Sequence, residues 1–220
     1  MPQEETPFDF TYLSNIKNII FDLGNVIYNI DTLKTRDAFL ELGAGSFEQI
    51  YTITEQSELF NQFETGKIDR FGFYEGVRNY LDMDLEDEQI KIAWNAMLLG
   101  LPATRLRLLL DLKSKFRTFL FSNTNELHIE AVTADNKANL GIDSLEPYFE
   151  KLYYSHLINL RKPDPAAFDF IIKDNELNRK ETLFVDDGKQ HIEGARKAGL
   201  QTVLITEQYT FEKLYSELMI

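Results

Sequence analysis

One short stretch near the start of the chain, residues 17–31 (KNIIFDLGNVIYNID), constrains the fold more than any other. The apolar run Ile19 to Phe21 predicts a short strand that is buried on both faces, as the strands of parallel sheets are. Asp22 follows at its C-terminal end, and the run then breaks at Gly24. Ligands bind at that end of the strands in open α/β sheets. Asp22 is therefore either a nucleophile or metal ligand, or a residue that merely caps a turn.

Composition narrows the classes of function. The chain has 220 residues, of which 44% are hydrophobic and 27% charged, as is ordinary for a soluble globular protein. Its net charge of −13 argues against nucleic acid or an anionic membrane as a partner, although a local Mg²⁺ and Lys could still hold an anionic substrate. There is no Cys for disulfides or thiol catalysis. Residues 1–15 lack the pattern of a signal peptide, so we expect a cytoplasmic protein. We also expect a monomer or weak homodimer.

Residues 32–101 have a different pattern from the first strand. Apolar residues recur at helical spacing, and the acidic stretch 82–88 precedes an apolar run, as suits the N-terminus of a helix. About four helices without a clear strand indicate a small helical unit inserted after the first strand. We expect its core to contain five aromatic residues: Phe60, Phe63, Phe71, Phe73 and Tyr74.

After residue 102, predicted strands and helices alternate. Predicted helices span 103–113, 165–174, 190–198 and 209–218, and predicted strands span 116–121, 151–155, 182–185 and 201–205. This alternation is typical of a doubly wound α/β fold with a parallel sheet.

Polar residues cluster where three of the predicted strands end. Ser122 follows one strand and Asp186-Asp187 follow another, so that in a parallel sheet they lie at the same edge as Asp22. Lys162 precedes a proline and is therefore expected on a loop. Carboxylates, a hydroxyl and an ammonium together suit phosphoryl transfer, with Asp22 as nucleophile and Mg²⁺ held by carboxylates. Individually these residues could be a helix cap, a turn serine and a surface lysine.

Four stretches in order carry a family resemblance: IIFDLGNVIYNID, FLFSNTNELH, NLRKPDPAAF and LFVDDGKQHIEGARKAG. With FETGKIDRFGFYEGV and AWNAML in the helical segment, the chain resembles a haloacid dehalogenase-superfamily hydrolase. It is most similar to the sugar-phosphatase branch that includes the α-D-glucose-1-phosphate phosphatases. The resemblance implies a Rossmann-like core at 1–31 and 102–220, and a helical cap at 32–101 that closes over the site.

The resemblance also implies a role for each site residue. Asp22 would form an aspartyl-phosphate. The substrate would be a small phosphorylated metabolite, with a sugar phosphate favoured. Mg²⁺ would be bound by Asp22, Asp187 and the Gly24 carbonyl, with Asp186 a direct or water-mediated ligand. The phosphoryl group would be bound by a further set: Leu23, Gly24, Ser122, Asn123 and Lys162.

Two positions depart from the family pattern. Gly24 stands where such phosphatases usually carry a second Asp as general acid and base, which contributes about 10²–10⁴-fold to the rate. Our hypothesis is that good leaving groups, such as those of a sugar 1-phosphate or an acyl phosphate, are therefore favoured. His191 replaces the usual Asn, and either bonds a carboxylate of the site or sits on the first helical turn. We expect His128 at the surface or half-buried, with a position near the mouth of the site as the alternative, and His156 on a loop or strand end.

Other functions stay open on the sequence alone. A haloacid dehalogenase also lacks the second Asp, but two further acids near Asp22 would repel one another without a cation. A phosphomutase would need an acid at Gly24, and a non-catalytic binder of a phosphometabolite is the remaining alternative. Substrate choice depends on the boundary between cap and core, for which we name six candidates: Asn29, Asp31, Asn61, Glu64, Arg70 and Trp94.

Overall fold

In a computed structural model of the chain, residues 15–45 and 58–220 are described. The N-terminal lead expected at residues 1–15 lies outside this part, apart from Asn15. No helix in the described ranges combines the length and the apolar character that crossing a bilayer requires.

Five parallel strands form the central sheet. They are β1 (Asn18–Phe21), β4 (Arg117–Ser122), β5 (Lys151–Tyr154), β6 (Thr182–Asp186) and β7 (Gln201–Leu204), in the order β5-β4-β1-β6-β7. β1 is central, and its Phe21 is in register with Val185 of β6. Asp22 therefore stands level with Asp186, which is the last residue of its strand.

Helices cover both faces of the sheet, which confirms the doubly wound α/β fold. They are α5 (Ala103–Lys115), α6 (Glu126–Leu140), α7 (Ser155–Ile158), α8 (Pro165–Asp174), α9 (Lys189–Lys197) and α10 (Phe211–Leu218). On one face, Phe21 of β1 packs in a cluster with Leu109 of α5 and Leu214 of α10. On the other, Ile20 packs in a cluster with Phe168 of α8 and Ile192 of α9. Successive residues of β1 thus point to opposite hydrophobic layers.

The helical segment after β1 has a core of its own. Its helices are α1 (Thr32–Glu41), α2 (Glu58–Glu64), α3 (Arg70–Leu81) and α4 (Asp87–Asn95). As expected, four of the five aromatic residues named above are buried in one cluster, and Trp94 stacks on Phe60 with ring centroids 5.0 Å apart. Phe71 is an exception, because its side chain is 64% exposed.

Two further elements differ from what the sequence predicts. Residues 32–101 contain a strand, β3 (Leu98–Gly100), which pairs antiparallel with β2 (Asn29–Ile30) as a ribbon where the chain leaves and re-enters the sheet domain. The fifteen-residue helix α6 was not predicted at all. It begins at the N-cap Asn125 and ends at Gly141, whose φ of 69° suits glycine. The cap boundaries at 31/32 and 101/102 stay a prediction.

Candidate active site

The ammonium of Lys162 lies between two carboxylates at the C-terminal edge of the sheet. Its Nζ atom is 2.6 Å from Oδ1 of Asp22 and 2.7 Å from Oδ2 of Asp186. The Lys162 side chain is fully buried, so the alternative of a surface lysine is wrong. Lys162 therefore joins the ends of β1 and β6 from a loop that lies far away in sequence.

The loop that carries Lys162 is held from two sides. The side-chain amide of Asn123, just after β4, donates to the Lys162 carbonyl and accepts from its backbone N–H, both at 2.9 Å. Helix α9 approaches the next residue so closely that a Cβ on Gly194 would lie 2.2 Å from the Pro163 carbonyl oxygen. A glycine at 194 is what permits this approach, and the ammonium is fixed in place as a result.

Three carboxylates meet beside this ammonium. One oxygen from each of Asp22, Asp186 and Asp187 can lie within 4.8 Å of the others. Oδ1 of Asp186 accepts from the Gly188 N–H at 2.7 Å and contacts Nδ1 of His191 at 2.9 Å. His191 thus does both things proposed for it, because it bonds a carboxylate and lies on the first turn of α9.

Burial and neighbouring charged groups shift the pKa values of the three carboxyl groups at this edge of the sheet. Burial, together with the neighbouring carboxylates, raises the pKa of Asp22 to about 8 against the opposing effect of Lys162. Burial and Asp186 also raise the pKa of Asp187. Burial would raise the pKa of Asp186 as well, but Lys162 and His191 outweigh it and hold that pKa below its usual value. One ammonium therefore faces three carboxyl groups, and a divalent cation bound beside them would stabilise the ionised forms of Asp22 and Asp187.

The turn after β1 lies against this cluster. Leu23 and Gly24 line the same cavity as Asp22, and Asn25 donates from Nδ2 to Oδ2 of Asp187 at 3.0 Å. A Cβ at Gly24 would lie 2.8 Å from Cδ1 of Ile30. The end of the Ile30 side chain thus occupies the space that the Cβ of an Asp at position 24 would need.

Ser122 is the last residue of β4 and is buried. Its Oγ contacts the Asn123 carbonyl at 3.5 Å, the limit of a hydrogen bond, and it lines the cavity with Asp22 and Lys162. The structure thus brings Asp22, Ser122 and Lys162 to one cavity. The side chain of Asn123 instead holds the Lys162 backbone, as described above.

A cavity of about 980 Å³ opens above these residues and reaches the helical segment. Its far lining includes an ion pair between Arg161 and Glu64 of α2, with Nη2 and Oε2 3.1 Å apart. Nη1 of Arg161 also donates to Oδ1 of Asn61 at 3.4 Å. Arg161 was not predicted as a site residue. The one feature of the sequence that could have indicated it is its position next to Lys162.

His128 also lines the cavity, but it is buried, so the expectation of a surface or half-buried residue was wrong. Its ring stacks on Trp94 at 5.0 Å, and its Nε2 lies 3.3 Å from the Trp94 carbonyl. The Asn125 side-chain oxygen accepts from the His128 backbone N–H, so its amide Nδ2 faces the ring Nδ1 at 3.2 Å. Nδ1 therefore accepts and Nε2–H donates. Burial lowers the pKa of His128 to about 4, and this neutral ring has no free nitrogen for catalysis.

The remaining boundary candidates divide into two groups. Arg70 joins the helical segment to the sheet domain through Glu126 of α6, with Nη2 and Oε2 2.9 Å apart. Asp31 instead caps α1, and Asn29 accepts from Arg105 of α5, so neither joins cap to core through its side chain. His156 lies on the short helix α7, rather than on a loop or strand end.

The family model for haloacid dehalogenase-like hydrolases matches residues 16–199. The D-ribitol-5-phosphate phosphatase of Bacteroides thetaiotaomicron is 33% identical over 187 residues, which cover 85% of this chain and 90% of that protein.

Solved structures with the same architecture include two bacterial proteins. A variant of a haloacid dehalogenase family enzyme from Bacteroides thetaiotaomicron, in complex with magnesium and inorganic phosphate, has a TM-score of 0.85 at 31% identity. It covers 91% of this chain and 98% of its own. A predicted hydrolase of the same family from Porphyromonas gingivalis has a TM-score of 0.83 at 25% identity, covering 93% and 98%.

Proposed function

Since this chain belongs to the haloacid dehalogenase-like hydrolase family, we propose that it is a Mg²⁺-dependent phosphatase that hydrolyses a small phosphorylated metabolite on Asp22. One observation carries the proposal: the Asp22 carboxylate lies at the base of a substrate-sized cavity, held by Lys162 and beside Asp187. Two relatives support the same reaction. One is named as a phosphatase, and the solved structure of the other is a complex with magnesium and inorganic phosphate.

The donor set fits Mg²⁺. Asp22, Asp187 and the Gly24 carbonyl are hard oxygen ligands of the kind that Mg²⁺ prefers, and the carboxyl groups are close enough together to share one ion. Both oxygens of Asp186 already accept hydrogen bonds, from Lys162 on one side and from Gly188 and His191 on the other. We therefore assign Asp186 to holding Lys162, rather than to direct ligation. When bound, Mg²⁺ neutralises charge on the phosphoryl oxygens and orients the group.

The chain's own residues account for two displacement steps. The Asp22 carboxylate attacks phosphorus, the bond from phosphorus to the leaving oxygen breaks, and an aspartyl-phosphate forms. Water then attacks this phosphorus, the bond to Asp22 breaks, and inorganic phosphate leaves as the carboxylate is restored. Lys162 and the Ser122 hydroxyl stabilise the phosphoryl oxygens in both steps, helped by backbone N–H groups at Leu23 and Gly24.

The two positions considered first for protonating the leaving oxygen do not supply an acid. Position 24 is glycine, and both ring nitrogens of His128 are engaged. Because the acid that such phosphatases usually carry at position 24 is missing, we expect sugar 1-phosphates and acyl phosphates, whose leaving groups need less protonation, to react faster than phosphates of simple primary alcohols.

The test is phosphate release from a panel that contains an aryl phosphate, an acyl phosphate, sugar 1-phosphates and ribitol 5-phosphate. We expect release that requires Mg²⁺, stops with a chelator and is lost in Asp22→Asn. Removal of a nucleophile lowers kcat by about 10⁶-fold in a well-studied hydrolase. No release from any compound by the Mg²⁺-bound protein would indicate a phosphometabolite binder. Fastest turnover of a primary-alcohol phosphate would overturn only the leaving-group hypothesis.

A further inference from the structure

Three polar residues form a compact group on the cavity wall that the hydrolytic steps do not use. Asn61 and Glu64 are three residues apart on α2 and therefore lie on one face of that helix. Arg161 reaches them from the loop that precedes Lys162, with its Nη1 on Asn61 and its Nη2 on Glu64. All three line the same cavity as Asp22.

This group is not needed to attach the helical segment to the sheet domain. Asn159 donates from Nδ2 to the Thr65 carbonyl at 2.8 Å, and the chain at Gly66 lies so close to His156 that a Cβ would be 2.2 Å from its carbonyl oxygen. These backbone contacts already fix α2 against the loop. A largely buried ion pair adds little net stability, because the loss of hydration offsets the attraction of its charges.

The Arg161 guanidinium also has hydrogen-bonding capacity left over. Its Nε atom is buried and has no hydrogen-bond partner among the described residues. A ligand in the cavity can engage this wall through Arg161, whose side chain is 20% exposed, and through the more accessible Asn61.

We propose that Asn61, Glu64 and Arg161 form a subsite that binds the hydroxyl groups of the leaving alcohol, so that the substrate class is a phosphorylated sugar or polyol. This proposal rests on the phosphatase function proposed above. A hydroxyl donates and accepts, and the subsite offers both partners: a carboxylate acceptor and guanidinium and amide donors. Vicinal hydroxyls can therefore bridge Glu64 and Arg161.

The charges of the group also exclude other classes of substrate. Glu64 and Arg161 neutralise one another, so the subsite offers no net positive charge to a second phosphate or carboxylate. A long isoprenoid chain would have to displace water from this ion pair without replacing its hydrogen bonds. Part of the remaining lining is apolar, at Ile30, Met97 and Leu98, and can contact the C–H edges of a sugar or polyol.

The test compares two substrates in wild type, Glu64→Gln and Asn61→Ala. Ribitol 5-phosphate carries hydroxyls, whereas p-nitrophenyl phosphate carries none on its leaving group. We expect Glu64→Gln to lower kcat/KM for ribitol 5-phosphate by about 10- to 100-fold, as loss of a hydrogen bond to a charged group does, and Asn61→Ala by about 3- to 10-fold, as loss of a neutral one does. The aryl phosphate should change by less than about twofold in both variants. Asn61→Ala keeps the ion pair and therefore reports on the subsite even if Glu64→Gln perturbs the fold.

The matched control is Glu58→Gln, the same change on the same helix at an exposed residue outside the cavity wall. It should leave both substrates unchanged. Equal loss for both substrates in both subsite variants, or no loss in either, would overturn the subsite while the phosphatase function stands. A wild type that hydrolyses neither substrate with Mg²⁺ would overturn the phosphatase function and the subsite with it.

Discussion

The two sides of the cavity are built from different interactions. On the sheet side, Asp22 and Asp186 are buried, and both accept hydrogen bonds from the buried ammonium of Lys162. On the helical side, the interior is aromatic, and the segment contacts the sheet domain through polar groups such as the ion pair of Arg70 with Glu126.

This difference separates chemistry from substrate choice. The charged residues stand at strand ends whose register is fixed by the parallel sheet, so each one depends on its neighbours for charge balance. Residues on the cavity face of α2 rest on an aromatic core and can vary without moving the nucleophile. We therefore expect substitutions on the sheet side to affect every substrate, and those on the helical side to affect particular ones.

The largest effect should come from Lys162→Met. Two buried carboxylates would lose their shared cation, and removal of one partner from a buried ion pair costs about 3–5 kcal/mol of unfolding free energy. Loss of a charge aimed at the phosphoryl group should also lower kcat by about 10²–10³-fold for all substrates. Denaturant unfolding and phosphate release would measure the two effects.

Lys17→Met is the matched control for that substitution. Lys17 pairs with Glu181 at 2.9 Å, but its side chain is 68% exposed. Exposed pairs contribute about 0.2–1 kcal/mol, so the change should be small and activity should be kept. Similar losses of unfolding free energy in the two variants would show that Lys162 is not the balancing charge of the sheet side.

On the helical side, two aromatic residues of α3 offer a comparison within one helix. Phe73 is fully buried and stacks on Phe63 with centroids 4.3 Å apart, whereas Phe71 is 64% exposed. Phe73→Ala should lower the unfolding free energy by about 3–5 kcal/mol through the cavity it leaves. Phe71→Ala should change it by less than about 0.5 kcal/mol. An equal loss in the two variants would mean that Phe71 is covered in the folded protein.

The sequence predicted the sheet side better than the helical side, for physical reasons. A strand buried on both faces has a continuous apolar run, so its end is visible, and parallel strand ends must share one edge. That places Asp22, Ser122 and Asp186 together without any coordinates. The predicted strands and helices after residue 102 agree with the observed bounds within two residues.

What could not be predicted depended on tertiary contacts. Helix α6 was missed because its buried stripe is His128, Val132 and Asn136, so polar residues stand where an apolar period is expected.

The exposure of Phe71 could have been predicted, because Phe73 and Val77 define the buried face of α3 and Phe71 lies off it.

The smallest of the predicted effects tests the contact between the two sides at His128. Burial lowers its pKa from 6.5 to about 4, so the unfolded chain binds a proton in the range between these values and the folded protein does not. Stability is therefore fully present above pH 6.5 and is lost as the pH falls toward 4. At pH 5 the loss amounts to about 2 kcal/mol of unfolding free energy.

His128→Gln removes this titration while keeping a polar group opposite the Trp94 carbonyl. We expect the variant to be less stable than wild type at pH 7.5, because the ring no longer stacks on Trp94. The gap should narrow at pH 5, where only wild type has lost the contribution of a neutral histidine. Denaturant unfolding of both proteins at the two pH values measures this. A constant gap would mean that His128 binds its proton equally in the folded and unfolded chains, and the contact between the two sides would then be open to water.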